Sequence, residues 1–411
     1  MAIDKPLSDL RVLDLTQAAS GPMCAAHFVA LGAEVLKIEA PGVGDSARRA
    51  GPYLGARGIA AMDDDPTDMA IYFLKRNRGK KGLTLNLKSP KGIAIFYRLV
   101  AISDVVLDNY RPGVTERLGI TYEKLRQIKK DIICCSITGF GHSGPYRTRA
   151  AYDTVVQAMS GVMEMTGFAD GPPTRAGFLA GDGVAPLFAT SGILAALRQR
   201  DRTGEGQFID VAMLDCLASL VWDAPLDYIA SDARTARVGN QMALVPANSY
   251  ECKDGTVVIM AGQQHQWARL TALMGREELA KDPRFATLDH RMVNVKEVDR
   301  LVNEWTGTLT KVEAVRACES VGLACGPVTS IPELLSDPHL KSRGLVGKLP
   351  HPMVGDSAGA TVAGYPVKFQ NFDASFDAPA PTEGQHTAQV LAGLLKMDQA
   401  ELEQLIQEKV I

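Results

Sequence analysis

Apolar residues along the first two hundred positions come in short unbroken runs, and longer mixed stretches separate them. Residues 11–16, Arg-Val-Leu-Asp-Leu-Thr, read as a buried strand. Pro22 opens a helix to about Leu31, Gly32 closes it, and Glu34 to Ile38 reads as the next strand. Further strand patterns lie at 82–87, 104–110, 132–140 and 208–213. Helical patterns stand between them, at 89–102, 122–130, 152–161 and from Pro186 to about Arg200. Strands that alternate with helices predict an α/β fold with a parallel sheet and crossover helices.

Past Met213 the pattern changes. A long helix and linker run from about Leu214 to Arg234. Residues 245–330 then read as a second unit. Strand-like stretches at 249–252 and 256–260 flank the turn Lys253-Asp254-Gly255, and helical patterns follow at 265–281, 294–308 and 311–322. A Gly/Pro-rich connection extends to about Gly364. From Thr387 onward, Leu391, Leu394, Leu395, Leu402 and Leu405 mark the apolar faces of two amphipathic helices.

Composition narrows the class. The chain has 411 residues, 46% of them hydrophobic and 22% charged, with a net charge of −3. That balance draws the protein neither to nucleic acid nor to an anionic membrane. Seven cysteines without a Cys-x-x-Cys pair fit reduced, mostly buried thiols and neither a disulfide framework nor a zinc site. The N-terminal MAIDKPLSDL lacks an apolar core of signal-peptide length, and no uninterrupted apolar run reaches the ~18 residues of a spanning helix. A soluble, cytoplasmic protein is the expectation.

Candidate chemistry centres on Ala176 to Leu187, AGFLAGDGVAPL. Asp182 lies between Gly181 and Gly183, so no bulky neighbour covers its carboxylate. With Pro186 in the first turn of a helix, Asp182 falls just ahead of a helix N-terminus. On the residue pattern alone such an aspartate reads first as a helix cap, and second as a nucleophile that needs no base. Gln17 stands at the carboxyl end of the first strand, where open parallel sheets bind ligands. The turn QAASGP lacks the G-x-G-x-x-G fingerprint, which argues against bound NAD or FAD. Lys75 to Lys91 carries seven basic residues and no acid, an anion-binding stretch or a solvated turn. Arg111 and Arg117 flank the turn after the fourth strand. His142, with no carboxylate or cysteine at a paired spacing, reads as structural. Residues 40–71, with Asp63, Asp64 and Asp65, read as a solvated loop.

Taken in order, several segments resemble the family III CoA-transferases, which include formyl-CoA:oxalate and carnitine CoA-transferases. They are LDLTQAASGPMCAAHFVALGAEVLKIEAPGVGD, NRGKKGLTLNLKSPKG, DVVLDNYRPGVTERLG, AYDTVVQAMSG, TGFADGPPTRAGFLAGD, RTGEGQFIDVAMLD and KDPRFATLDHR. The resemblance implies a Rossmann-like parallel-sheet large domain, a smaller α+β domain and an interlocked homodimer. The matching boundaries are 1–215 for the first part of the large domain, 216–245 for a linker, 246–330 for the small domain, 331–370 for a second linker and 371–411 for the return to the large domain.

By the same resemblance Asp182 is the catalytic nucleophile and Gln17 supports the acyl intermediate. Leu85, Lys88, Asn109, Tyr110 and Arg117 contact coenzyme A. Tyr72 and Tyr152 line its thiol end, and Asp153 stands where a glutamate lies near the site. Acyl-CoA and a carboxylic acid are then substrates; no metal and no tightly bound cofactor is implied, and backbone N–H groups near Gly183 would stabilise oxyanions. Two departures stand out. MAGQQHQW holds only Gly262 where formyl-CoA transferases carry a glycine run, which weakens oxalate as acceptor; by analogy to many members of the family, the resemblance implies succinyl-CoA as donor and a small dicarboxylate as acceptor. Ala40 replaces an arginine, and Lys37 is the nearby cation to compensate. The alternatives are an α-methylacyl-CoA racemase-like enzyme, whose histidine is here Tyr152, a poor base at neutral pH, and a CoA-binding protein without catalysis.

Overall fold

The computed structural model describes residues 4–231, 237–356, 359–376 and 378–411. The chain divides into two compact units. One comprises Met1–Met163, Arg175–Ala233 and Pro338–Ile411; the other comprises Glu164–Thr174 and Arg234–Asp337.

The first unit is built on β1 (Arg11–Asp14), α1 (Ser20–Ala30) and β2 (Glu34–Glu39). A three-stranded antiparallel sheet follows, β3 (Tyr53–Gly55), β4 (Gly58–Ala60) and β5 (Met69–Ala70), then α2 (Ile71–Arg76) and β6 (Lys81–Thr84). Next come α3 (Pro90–Ala101), β7 (Val105–Asp108), α4 (Val114–Leu118), α5 (Tyr122–Ile128), β8 (Ile133–Thr138), α6 (Asp153–Met159) and α7 (Val162–Met165). The 24-residue α8 (Ala180–Thr203) leads to β9 (Phe208–Ala212), α9 (Met213–Leu220) and α10 (Asp223–Ser231). The main sheet has six parallel strands in the order β6-β2-β1-β7-β8-β9. From β1 the chain first builds outward to β2 and β6. It then crosses to β7 on the other side, so β1 and β7 form a topological switch point.

Both faces of this sheet are covered, which is why its strands read as continuous apolar runs. Successive side chains alternate between the faces. Val12, Val35, Val105, Leu107, Ile133 and Cys135 pack with α1 and α8, whereas Leu13, Leu36, Leu83, Val106 and Cys134 pack with α3 and α5. Near the C-terminus, Leu391, Leu395, Leu402 and Leu405 close that second face. Among the described residues α8 is the one helix with the length and apolarity of a membrane span, and half of that stretch is buried in the molecule.

The second unit holds β10 (Ala247–Cys252) and β11 (Gly255–Met260), joined by the expected hairpin, with α11 (Gln264–Leu273), α12 (Leu288–Val293), α13 (Val295–Thr306), α14 (Lys311–Ser320), β12 (Ala324–Pro327) and α15 (Ile331–Ser336). Trp267, Phe285, Tyr250, Leu301 and Val302 fill its core. The chain then adds α16 (Pro338–Ser342), a two-stranded ribbon of β13 (Val346–Lys348) and β14 (Thr361–Ala363), α17 (Thr387–Leu395) and α18 (Gln399–Gln407) to the first unit.

Three local expectations change. The supposed solvated loop at 40–71 contains the β3–β5 sheet, whose Tyr53, Leu54 and Met69 are buried with Leu349 and Val362. The single long helix after Met213 is two helices, α9 and α10, and residues 232–236 of that expected helix and linker lie outside the described residues. Finally α8 begins at Ala180, a turn earlier than Pro186 signalled. Pro186 lies inside the helix; without an N–H it cannot bond the carbonyl of Asp182, four residues back.

Candidate active site

The loops at the carboxyl ends of β1 and β7 enclose a cavity of about 440 Å³. Its walls include Gln17, Ala18 and Ser20 after β1, Asn109, Tyr110 and Arg111 after β7, Thr138 and Phe140 after β8, Tyr152 and Asp153 at the start of α6, and Asp182 in α8. The position follows from the topology: at a switch point the adjacent loops diverge and leave a crevice.

The β1 turn is held from both sides. Asn109 Oδ1 accepts the Gln17 N–H at 2.9 Å, and Asn109 Nδ2 donates to the Gln17 carbonyl at 2.8 Å. Gln17's side chain therefore stays exposed while its backbone is pinned. Ala18 adopts φ +64°, a left-handed conformation that costs a non-glycine residue energy. It is kept there by Asp45 Oδ1, which accepts its N–H at 2.8 Å, and by Arg76 Nη1, which donates to its carbonyl at 3.0 Å. Gly21 is sterically required, because a Cβ would lie 2.3 Å from the Thr16 side chain.

Asp182 is in the first turn of α8 but does not cap it. The N-cap is Leu179, without a side-chain cap bond. Asp153 performs that task from α6. Its Oδ1 accepts the N–H groups of Gly181 at 2.7 Å and Asp182 at 3.1 Å, and its Oδ2 accepts from Gln157 Nε2 at 2.6 Å. Gly181 packs tightly beside Asp153 and Met213, whereas Gly183 faces open space. The expectation of free oxyanion donors near Gly183 fails here, since the Gly183 N–H bonds the Leu179 carbonyl within the helix. Across the cavity stands the buried Ser20, the first residue of α1, whose backbone and side chain stabilise the Asp182 carboxylate.

Burial pushes the Asp182 carboxyl above the ordinary carboxylate range, and the Asp153 charge adds to the rise; Arg76 and Ser20 pull it partly back. Asp182 is thus a partly desolvated carboxylate facing a helix N-terminus, next to a second carboxylate that is occupied as a cap. Partial desolvation strengthens a carboxylate as a nucleophile, because less of a water shell must be stripped before attack.

The remaining sequence candidates fall in different places. Tyr110 lines the cavity, and burial raises its hydroxyl pKa. Tyr152 lines it too and is 73% exposed. Tyr72, 42% exposed, sits on α2 beneath the Arg76 guanidinium. Leu85 is buried, its N–H bonding the Glu39 carbonyl. Lys88 and Arg117 are exposed and outside the cavity lining. Lys37 is fully buried; its ammonium meets Asp45 at 2.8 Å and the Thr16 carbonyl, beneath the β1 turn. His142 anchors its loop: its N–H donates to Asp210 Oδ2 at 2.8 Å, and its Nε2 meets Ser136 Oγ at 2.9 Å.

Sequence reasoning passed over Ser20, Arg76, Arg147 and Arg149. Ser20 carried a signal in the SGP start of α1. Arg76 was merged into the basic run. Arg147 and Arg149 line the cavity, and Arg149 stacks on Tyr146 with its guanidinium 3.9 Å from the ring centre. All seven cysteines are free thiols, five of them buried. No cluster of three or more potential metal ligands occurs among the described residues.

The family model described as CoA-transferase family III matches residues 7–387. A succinyl-CoA:glutarate CoA-transferase of Mus musculus is 36% identical over 99% of this chain and 90% of its own length. A succinate–glutarate CoA-transferase of Agrobacterium fabrum is 35% identical over 95% of this chain and 96% of its own. Among solved structures, a CaiB/BaiF family protein from Brucella suis superposes with a TM-score of 0.84 at 34% identity, covering 95% of this chain and all of that one.

Proposed function

The chain belongs to CoA-transferase family III, and from that membership we infer that it moves coenzyme A from succinyl-CoA to a small dicarboxylic acid through covalent intermediates on Asp182. The observation that carries this reading is the desolvated Asp182 carboxylate opposite the α1 N-terminus, inside the cavity at the switch point. The donor and acceptor classes rest on the relatives that act on succinyl-CoA and on glutarate or succinate.

In the first step an Asp182 oxygen attacks the thioester carbonyl, the C–S bond breaks, and a mixed anhydride and CoA thiolate form. The thiolate then attacks the aspartyl carbonyl and releases the donor acid, leaving an aspartyl-CoA thioester. An acceptor carboxylate attacks that thioester to give a new anhydride, and the thiolate finally takes the acyl group and frees Asp182. The Ser20 N–H and the Gln17 amide are the donors positioned for the oxyanions. CoA itself would run past Leu85, Lys88, Asn109, Tyr110 and Arg117, with Tyr72 and Tyr152 beside the thiol. Lys37 supports the turn from below.

A homodimer completes the reading. Leu187, Phe188, Leu220, Trp222 and Leu226 on α8 to α10 are each at least 44% exposed, an apolar surface that a second copy would cover. With α8 half buried within one chain, that second copy also accounts for its apolar outer face without a membrane, in keeping with a soluble cytoplasmic enzyme.

The test is succinyl-CoA with glutarate as acceptor. Wild type should form glutaryl-CoA, and hydroxylamine should trap an adduct on the peptide holding Asp182. Asp182→Ala should lose at least about 10³-fold in turnover while binding CoA as before. Turnover retained in that variant would remove the mechanism, and solvent deuterium entering carbon two of a branched acyl-CoA would point to a racemase.

A further inference from the structure

Asp153 lies beside Asp182 in the cavity wall. Acylated Asp182 carries no charge, but the acid that attacks it brings a carboxylate toward Asp153. A cation with unused donors would offset that repulsion and hold the acid in place.

The buried and half-buried cations of the basic run differ in this respect. Lys80 is ion-paired with Asp14 at 2.8 Å. Arg78 donates to the Ala363 carbonyl at 2.8 Å and stacks on Phe376. Arg76 is unlike both. One edge of its guanidinium is engaged, through Nη1 to the Ala18 carbonyl, and its Nε is buried without a partner. No carboxylate lies within ion-pair distance of it among the described residues, although Asp182 is the carboxylate whose field it feels most strongly. Its plane is steadied over Tyr72, with 5.4 Å to the ring centre. Its anchor, Ala18, lies between Gln17 and Ser20 in the cavity wall. A guanidinium held by one edge, oriented by an aromatic ring and short of an acceptor is a fork for a planar anion.

We propose that Arg76 receives the carboxylate of the acid substrate and directs it at Asp182. This rests on the transferase reading. The attacking carboxylate binds through Nη2, the corner that is neither bonded nor buried, and one of its oxygens reaches the aspartyl thioester. Arg76 then sets the affinity for the acid, while the CoA portion is held elsewhere. The exposed Arg147 and Arg149, which line the cavity directly whereas Arg76 reaches it through Ala18, are the competing candidates.

The experiment compares wild type with Arg76→Gln, Arg76→Lys and Arg149→Gln, using succinyl-CoA as donor and glutarate as acceptor. Arg76→Gln should raise the KM for glutarate on the order of tenfold or more, the loss of a charge-assisted fork. The KM for succinyl-CoA should be unchanged, which also shows that the variant is folded. Arg76→Lys should recover part of the glutarate KM. Removing this cation should also shift the acid limb of the pH–rate profile upward, because Asp182 loses its neighbouring positive charge. Equal rises in both KM values would mean that Arg76 only braces Ala18, and the proposal would fall. A glutarate KM that follows Arg149→Gln and not Arg76→Gln would overturn it too. Neither result touches the transferase reading, which fails only if wild type forms no glutaryl-CoA or Asp182→Ala keeps turning over.

Discussion

Two sets of charges lie on opposite sides of the β1 turn. Below it, Asp14, Lys80, Lys37 and Asp45 are sealed from solvent and matched, with Lys80 to Asp14 and Lys37 to Asp45 both at 2.8 Å. Asp14 also accepts the Thr16 N–H at 2.9 Å, and Lys80 donates to the Pro22 carbonyl at 3.0 Å. Above it, Asp182 and Asp153 share a wall, and among the described residues neither has an ion pair with a cation. In the lower set the partners outweigh burial at Asp14 and Lys37, while at Lys80 burial wins and draws the ammonium down to about 8. Burial alone would raise Asp14, but the ammonium groups of Lys80 and Lys37 hold it below the usual carboxylate range. The upper set goes the other way, Asp182 being raised. The same residue types therefore build a rigid floor in one place and a reactive wall in the other, and the difference is whether each charge has met its partner within the chain.

Breaking the floor should have the largest effect on stability. Asp14→Ala strands Lys80 in a buried site and takes from Lys37 the carboxylate that acts on it most strongly. It should cost about 3–5 kcal/mol, because an unpaired buried charge is left behind. Urea unfolding of the variant checks this; an unchanged midpoint would mean the cluster is not the floor described here. The sign of its pH dependence follows. A carboxylate depressed in the folded state stabilises above its unfolded value of about 3.8, and the contribution is lost as pH falls through the lower folded value.

Much of the floor and wall was legible in the residues, and what was missing has one physical origin. The runs around Val12, Val35 and Val105 announced a parallel sheet because both of its faces are buried. Asp182 stood out through its glycine neighbours. Pro186 misled: its preference for a first turn placed the helix start late, while the actual start is enforced by Asp153 from α6, 28 residues before Gly181. The run from Lys75 to Lys91 looked like one basic patch. It separates because its partners are distant: Asp14 for Lys80, Glu34 for Lys81 and Glu408 for Lys91. No local pattern distinguishes the matched lysines from the unmatched Arg76. Only tertiary structure assigns partners, so charge identity was readable and charge fate was not.

A third carboxylate tests whether burial without a cation behaves as the comparison requires. Asp108, at the end of β7, is buried beneath Tyr110 and accepts from Ser136 Oγ at 2.9 Å and the Tyr110 N–H at 3.1 Å. With no ammonium beside it, burial pushes its carboxyl up to about 6. A carboxyl raised in the folded state binds its proton more tightly there than when unfolded, so stability falls as pH rises from about 3.8 through about 6. Asp108→Asn keeps an acceptor for both donors and removes the titration. It should match wild type near the acid end of that window and exceed it at neutral pH by up to about 2 kcal/mol. Thermal unfolding of both proteins across the window gives the answer. Parallel curves would mean that Asp108 does not titrate in the fold.

The smallest expected effect has the sharpest sign. If the wall is a reactive device held at some expense of stability, replacing its nucleophile with a neutral isostere should strengthen the fold while ending catalysis. Asp182→Asn removes the desolvated charge and its repulsion with Asp153, and gives up the attraction to Arg76 and part of the Ser20 interaction. The unfavourable contributions are the larger, since they leave the carboxyl raised. The variant should therefore gain about 0.5–1 kcal/mol at neutral pH, in the range seen when active-site strain is relieved. The gain should shrink as pH falls and wild-type Asp182 takes up its proton, the reverse of the trend for Asp14. Unfolding midpoints at neutral and acid pH, read beside those of Asp14→Ala, measure both signs at once. A destabilised Asp182→Asn with the same acid trend as Asp14 would place the two carboxylates in one class and remove the distinction between floor and wall.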